Sequence, residues 1–307
     1  DSVTAIEDYA FYGCKSLTSV TIPDSVTAIE DYAFYGCKSL TSVTIPDSVT
    51  VMGHYAFYDC KSLTSVTIPD SVTAIKDYAF YDCKSLTSVT IPDSVTTIGE
   101  AAFFNTPWLK TKRNENPLVI INGILIDGKT CEDDIVIPDS VTAIGKYAFS
   151  SCSTLTSVTI PNSVTTIGRG AFYNCTALKS ITIENPECEI CDDSSPIYAY
   201  DYTYTIYTIP DTATIYSYDN STAQAYAKKY NKDFVSLGTA PEKPTTEILT
   251  GDANKDGEFN ILDIITLQKW LLGAGDLPNW QAMDFNQDGM ITIFDFVLAK
   301  KYYLKNI

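Results

Sequence analysis

The chain has 307 residues, 45% of them hydrophobic, and its 21 basic against 38 acidic residues leave a net charge of -17 at pH 7. That balance supplies material for a long core and opposes binding to nucleic acid or anionic lipid, both of which need positive patches. No apolar run approaches the ~20 residues that span a bilayer, and the longest, Leu118 to Ile126, is interrupted by Asn122 and Gly123.

From Asp1 the sequence repeats every 23 residues, through Asp24, Asp47, Asp70 and Asp93 and then Asp139 and Asn162. A fixed period of this length predicts a solenoid. Apolar residues form ladders, Val3/Val26/Val49/Val72, Ile6/Ile29/Met52/Ile75, Phe11/Phe34/Phe57/Phe80, Leu17/Leu40/Leu63/Leu86 and Ile22/Ile45/Ile68/Ile91. One unit cannot cover its own apolar side, so stacked units bury a continuous core. Alternation within Leu17 to Ile22 predicts a short strand, Val20 and Ile22 inward and Ser19 and Thr21 outward. About nine rungs at a spacing of roughly 4.8 Å would give a curved sheet on the order of 40 Å long with an open face of Ser and Thr. Pro23, Pro46, Pro69 and Pro92 close each strand by removing a ladder donor. In the other half of the unit, Val26 to Phe34, apolar residues spaced by three or four predict a short turn or a single helical turn. The unit Leu-x-x-Val-x-Ile resembles the leucine-rich repeat core, and the whole resembles the bacterial surface-protein type called BspA-like. The resemblance implies an α/β solenoid with a parallel β ladder, assigned to residues 1–237. Asp1 already lies in repeat register, so the sequence is expected to be a fragment without its signal peptide and earlier repeats.

Cys14, Cys37, Cys60, Cys83, Cys152 and Cys175 hold one place in successive units. In leucine-rich repeats that place is a buried Asn or Cys, which implies a thiol ladder rather than disulfides. Cys188 and Cys191 could pair, and the odd total of nine cysteines leaves a free thiol. No second Cys-x-x-Cys or neighbouring His completes a zinc site. Tyrosines recur as Tyr9/Tyr32/Tyr55/Tyr78/Tyr147 and Tyr12/Tyr35/Tyr58/Tyr81/Tyr173. Such rows either cover the repeat joints by stacking on one another or grip sugar rings or proteins. His54, the one histidine, stands where other units carry Asp8, Asp31 and Asp77, a surface turn position with no orienting carboxylate expected. Without a second His, a Ser-His or Cys-His pair has little to build on, and the repeat itself accounts for the spacing of the acidic pairs. Enzyme activity is not expected.

After Leu109 the pattern breaks over about residues 110–130. Val119 to Ile121 and Ile124 to Ile126 predict an inserted hairpin around Asn122-Gly123, a favoured two-residue turn, and Ile135 and Ile137 restore the register. Residues 184–207 are irregular and rich in Tyr, with Tyr198, Tyr200, Tyr202, Tyr204 and Tyr207. Thr208 to Ile215 and then Ser221 to Lys229 predict a last rung and a helix N-capped by Ser221, closing the stack. Residues 238–249 read as a Pro-containing tether.

Two calcium-loop patterns follow, 32 residues apart. They are Asp252, Asn254, Asp256, Glu258, Asn260 and Asp263, and Asp284, Asn286, Asp288, Met290, Thr292 and Asp295. A hard cation takes oxygen from side chains at loop positions 1, 3, 5, 9 and 12 and from a backbone carbonyl at 7, here that of Glu258 or Met290, while Gly257 and Gly289 permit the turn at position 6. Position 12 is Asp rather than Glu, and Pro241 and Pro244 forbid an entering helix. Each loop is therefore followed by one helix, Ile261 to Leu272 or Ile293 to Leu304. This arrangement resembles a type I-like dockerin over residues 250–307, the small all-α calcium-binding module that plugs into a cohesin domain of a scaffoldin. The resemblance implies two calcium ions and cohesin-facing positions at Ile261, Leu262, Gln268, Lys269, Ile293, Phe294, Lys300 and Lys301. Many clostridial dockerins carry Ser-Thr-type pairs at loop positions 10 and 11, so the apolar pairs here point towards ruminococcal or type II-like specificity. Ile264, Ile265, Phe296 and Val297 are assigned to packing between the two helices.

Together these readings predict a secreted, non-catalytic cellulosomal component, held at the cell surface through a scaffoldin. Its solenoid either recognises a protein or polysaccharide or serves as a spacer, with an inhibitor or enzyme as the remainder.

Overall fold

The computed structural model describes residues 3–191, 197–199, 202–204, 206–241, 251–256, 258–285 and 291–305. The chain forms two compact units, Asp1–Ala240 and Pro241–Ile307.

The first unit is a parallel-β solenoid of about nine turns. Each coil places two short strands. Ala5–Ile6, Ala28–Ile29, Val51–Met52, Ala74–Ile75 and Thr97–Ile98 pair in parallel along one side. On another side Ser19–Thr21 pairs with Ser42–Thr44, and Ser65–Thr67 with Ser88–Thr90. Alternation works as expected in this second set: Val43 and Val66 are buried and their Ser and Thr neighbours exposed. The first set lies where the spacing of Val26 to Phe34 predicts a short turn or a single helical turn, and a turn does follow each strand. No helix forms there, because Tyr9, Tyr32, Tyr55 and Tyr78 all adopt φ between 56° and 60°, which ends any right-handed turn. Their backbone donors go to the next coil instead, as in Tyr9 N to Asp31 O (3.0 Å) and Phe11 N to Ala33 O (2.8 Å).

Inside the coils Phe11, Phe34, Phe57, Phe80 and Phe103 stack face to face at 5.0–5.5 Å. The cysteine ladder is a hydrogen-bonded one. Cys37, Cys60 and Cys83 each donate to a Phe carbonyl 26 residues earlier, at 3.1–3.2 Å, and Cys188 keeps its thiol rather than pairing with Cys191.

Sequence reasoning missed α1, Pro107–Glu115, which stands where the next strand was due. Its signal is Thr106-Pro107: the Thr106 hydroxyl caps Leu109 N and Pro occupies the first helical turn. Trp108 closes the Phe column, its ring 4.7 Å from Phe103. Arg113 reaches from the helix to Asp127 through two hydrogen bonds of 2.7 and 2.6 Å. The strand ladder is thus divided rather than continuous over the whole stack. Next comes a hairpin, Val119–Ile121 antiparallel to Ile124–Asp127. Asn122 (φ 49°) and Gly123 (φ 76°) form its turn, both left-handed as a type I′ turn demands.

The stack then resumes. Ile124–Asp127, Ala143–Ile144, Thr166–Ile167 and Glu189–Ile190 continue one ladder, and Asp133–Val136, Leu155–Ile160, Ser180–Ile183, Thr214–Ser217 and Phe234–Ser236 form another. Where earlier units carry Phe, Gly128 leaves room for Phe149, whose ring would lie 2.2 Å from a Cβ at that position. Two corrections follow. Glu189–Ile190 is a regular rung pairing with Thr166–Ile167, so the irregular stretch begins later than Glu184; of its tyrosines, Tyr198, Tyr202 and Tyr204 lie in a small hairpin, Ile197–Ala199 against Tyr202–Tyr204, whereas Tyr200 falls outside the described residues. The closing helix α2, Thr222–Tyr230, is capped by Ser221 as expected, but the chain then adds the strand Phe234–Ser236 beside Thr214–Ser217.

The second unit holds α3 (Ile261–Leu271), a short α4 (Trp280–Met283) absent from the sequence reading, and α5 (Ile293–Lys305). Ala253, Leu267, Met283 and Ala299 make its core, with Phe259, Leu271, Phe285 and Phe296 packed around them. No helix among the described residues is long and apolar enough to cross a membrane.

Candidate functional site

The first calcium-type loop is organised by one carboxylate. Asp263, fully buried at the start of α3, accepts from Ala253 N (2.8 Å) and Asn254 N (3.2 Å) through Oδ1 and from Asn260 N (2.8 Å) through Oδ2. Asn260 in turn caps Leu262 N, giving a capping box that fixes where the helix begins. Asp295 does the same in the second repeat, accepting from Phe285 N (3.0 Å) and Thr292 N (2.9 Å). Position 12 of each loop therefore ties the loop's start to the first turn of its helix. An Asp is short enough to sit inside that turn.

Between these anchors, Asp252 Oδ1 and Asn254 Oδ1 both accept from Asp256 N, at 3.1 and 2.9 Å. Asp256 accepts from Asn254 Nδ2 and from Glu258 N, which holds its carboxyl below the usual carboxylate range. Asn286, Asp288, Met290, Gly257 and Gly289 lie outside the described residues. Among those described, no three Asp, Glu, His or Cys side chains are gathered closely enough to enclose a metal by themselves. The donor set still suits one. Its side-chain ligands are all oxygen, the chemistry of a hard cation, and Asp263 is a buried carboxylate with no ion pair among the described residues, a group whose burial is costly without a compensating charge.

Next to each anchor stands exposed apolar surface. Ile261, Leu262 and Ile293 are 48%, 54% and 58% exposed, and Gln268, Lys269, Lys300 and Lys301 are exposed further along the same helices; the side chain of Phe294 is outside the described set. Of the four residues assigned to packing, Ile264 is buried and Phe296 joins the core. Ile265 and Val297 instead face solvent, each exposed by about two-fifths. The reason is helical phase: position i+4 from Ile261 or Ile293 returns to the outward face. Sequence reasoning also missed Leu272, Trp270 and Trp280, all exposed.

In the solenoid, His54 does meet a carboxylate, against expectation: its Nδ1 is 3.7 Å from Asp77 Oδ2. Asp77 is also held by Lys146 Nζ at 3.1 Å and accepts from Glu100 N, and no Ser or Cys among the described residues bonds the imidazole. Nearby, the Tyr78 hydroxyl donates to Glu100, whose pKa burial raises.

Residues 3–123 and 128–219 match the BspA type leucine rich repeat region in six copies, and residues 250–304 match the dockerin type I domain. No curated protein matches the chain. Among solved structures, a leucine rich repeat protein of T. pallidum is 29% identical, covering 54% of this chain and 72% of that one with a TM-score of 0.33. A leucine rich cell surface protein from Faecalibacterium prausnitzii is 27% identical, covering 78% and 84% at a TM-score of 0.32. A leucine-rich repeat protein from Eubacterium ventriosum is 22% identical, covering 76% and 70% at 0.38.

Proposed function

Because the chain belongs to the BspA-type leucine-rich repeat family and carries a type I dockerin domain, we propose that it is a non-catalytic module plugged into a cohesin of an extracellular scaffoldin. Its solenoid is the recognition or adhesion part, directed at a protein or a polysaccharide. The observation that carries this reading is the pairing, in both repeats, of a buried loop-anchoring aspartate with an exposed isoleucine two residues earlier and exposed lysine on the same helix, Lys269 in one and Lys300 and Lys301 in the other. Apolar anchors with a polar rim are how interfaces concentrate binding energy.

Two calcium ions complete the plug in this reading. The first is held by Asp252, Asn254, Asp256, Asn260, Asp263 and the carbonyl of Glu258. The second is held by Asp284, Asn286, Asp288, Thr292, Asp295 and the carbonyl of Met290. Each ion supplies the positive charge that lets its loop carboxylates converge, so metal binding and ordering of the helix starts are coupled. Ile261, Leu262, Gln268, Lys269, Ile293, Phe294, Lys300 and Lys301 then meet the cohesin.

Titration calorimetry against a panel of cohesins, with and without a chelator, tests it. Two bound calcium ions and no cohesin binding in the chelated state are expected, and retained binding in Asp252→Ala plus Asp284→Ala would count against it. A spacer role for the solenoid is the second reading, favoured by tyrosine rings that cover one another's faces at 4.7–4.9 Å. Retention of the protein on plant polysaccharide or secreted enzymes, with the cohesin-binding positions mutated, separates recognition from spacing.

A further inference from the structure

Asn279 stands at the start of α4, a place where an Asn side chain ordinarily caps its own helix. It makes no bond of that kind among the described residues. Its Nδ2 instead donates to the carbonyl of Asp252 at 2.7 Å, and its backbone N donates to the carbonyl of Ala253 at 3.2 Å. A return bond runs from Gly251 N to Ala282 O at 2.7 Å, while Ala282 N donates to Asn279 O at 3.2 Å and closes the turn. The first two positions of the first calcium-type loop are thus fastened to the segment 279–282. Ala253, Ala282 and Met283 are all buried there.

The same segment runs straight into the second loop. Met283 precedes Asp284, the first position of that loop, and Phe285 N at the second position donates to Met283 O and to Asp295 Oδ1, each at 3.0 Å. Its counterpart in the first loop, Ala253 N, donates to Asp263 Oδ1 at 2.8 Å. Hydrogen bonds and one tight turn therefore join the two anchoring aspartates, from Asp263 through Ala253 and Asn279 to Met283, Phe285 and Asp295.

A connection of this kind transmits binding energy when one element in it has two arrangements that both sites bias. The turn 279–283 is that element. In the calcium reading Asp252 and Asp256 converge on one positive charge, which offsets their mutual repulsion and keeps the carbonyls of Asp252 and Ala253 where Asn279 grips them. The closed turn then sets Asp284 at the head of the second loop before that loop fills. Linkage makes the effect equal in the other direction.

We propose that Asn279 is a positioning residue for the first calcium loop and that the turn it opens couples the two loops, so that filling either one tightens the other. This coupling rests on the two-calcium docking role. Calcium titration of the full, chelator-stripped chain by calorimetry tests it. Asp284→Ala and Asp252→Ala each leave one loop whose affinity is read alone. The parent's overall constant divided by the product of those two single-loop constants is the coupling factor, and about tenfold is expected. Asn279→Ser keeps a good cap for α4 but withdraws the amide from Asp252. Measured with the same single-loop changes, it should bring the factor to within about twofold of unity while both loops still fill. A residue that only stabilised α4 would lower the melt of the chelated protein and leave the factor as in the parent. If Asn279→Ser melts early, Asn279→Asp replaces it, a cap of the same shape whose carboxylate cannot donate and whose charge cancels in the ratio. A parent factor near unity, or a folded Asn279→Ser or Asn279→Asp chain that keeps the parent's factor, overturns the coupling and leaves the docking role standing. A parent that binds no calcium overturns both.

Discussion

The thiol of Cys60 donates to the carbonyl oxygen of Phe34, 3.2 Å away and one coil earlier. Each such bond gives an inward carbonyl a second donor beside the backbone N–H of its own coil's Cys, as with Cys37 N to Phe34 O at 3.2 Å. Burial pushes the thiols up, to about 11 for Cys37 and about 12 for Cys83, Cys131, Cys175 and Cys188. A folded pKa above the unfolded one means that the stabilisation is complete below the unfolded thiol value, about 8.5, and is lost as pH rises through the folded values. Thermal melts should therefore be flat through neutral pH and fall from about pH 9 upward. In native protein a maleimide should label Cys14, the exposed thiol, and Cys191, which is half-exposed, and reach the others only on unfolding.

Phe57 lies fully buried between Phe34 at 5.1 Å and Phe80 at 5.3 Å. Phe57→Ala should cost about 3–5 kcal/mol, read from urea unfolding, because neighbouring rings held by their own coils cannot collapse into the gap. Phe57→Leu should cost less than half of that.

Arg113 meets Asp127 through both oxygens, and Asp127 is only 4% exposed. Arg113→Ala leaves that carboxylate buried and unpaired, at a cost of about 3 kcal/mol or more. Removing both partners, Arg113→Ala with Asp127→Ala, should cost less than the sum of the single changes, which a double-mutant cycle measures.

Asn122 holds its left-handed φ while its Nδ2 donates to Pro92 O at 2.7 Å and Val95 O at 3.0 Å. Asn122→Gly keeps the turn and loses only the bonds, an expected cost of about 1 kcal/mol. Asn122→Val adds β-branched strain at positive φ, and its larger loss of stability in a melt would show that the turn is chosen for conformation as well as contact.

Asp263 is the inner half of the α3 capping box and the loop anchor together, so Asp263→Ala should lower the stability of α3 by about 1–2 kcal/mol and weaken calcium uptake in the same variant. Asp256→Ala, at an exposed loop position, should weaken calcium uptake while leaving the chelated protein's melt unchanged.

The inward residues of the repeat and the loop anchors were legible because each follows from a local rule. Period 2 in Ser-Val-Thr sets Val43 inside, and the loop spacing put Asp263 and Asp295 at helix starts. The Ala28–Ile29 ladder was not legible, since two residues are too few to show alternation and the left-handed Tyr32 is a choice no propensity favours. Glu189–Ile190 hid because Glu stands where Ala or Thr usually does, and its pairing comes from the stack rather than from its own sequence. The exposure of Ile265 and Val297 could have been reached by continuing the helical period from Ile261 and Ile293.

The two buried clusters of the solenoid meet on neighbouring residues of one strand: Ile124 belongs to the first and Leu125 to the second. Solenoids touch only their nearest neighbours and are prone to fray piecewise. Here a single strand is riveted into both bodies, one side chain to each, and neither half can let go without stripping a wall from the other. Denaturation of the stack should then appear as one concerted event, with α1 and the hairpin melting together with the coils they join.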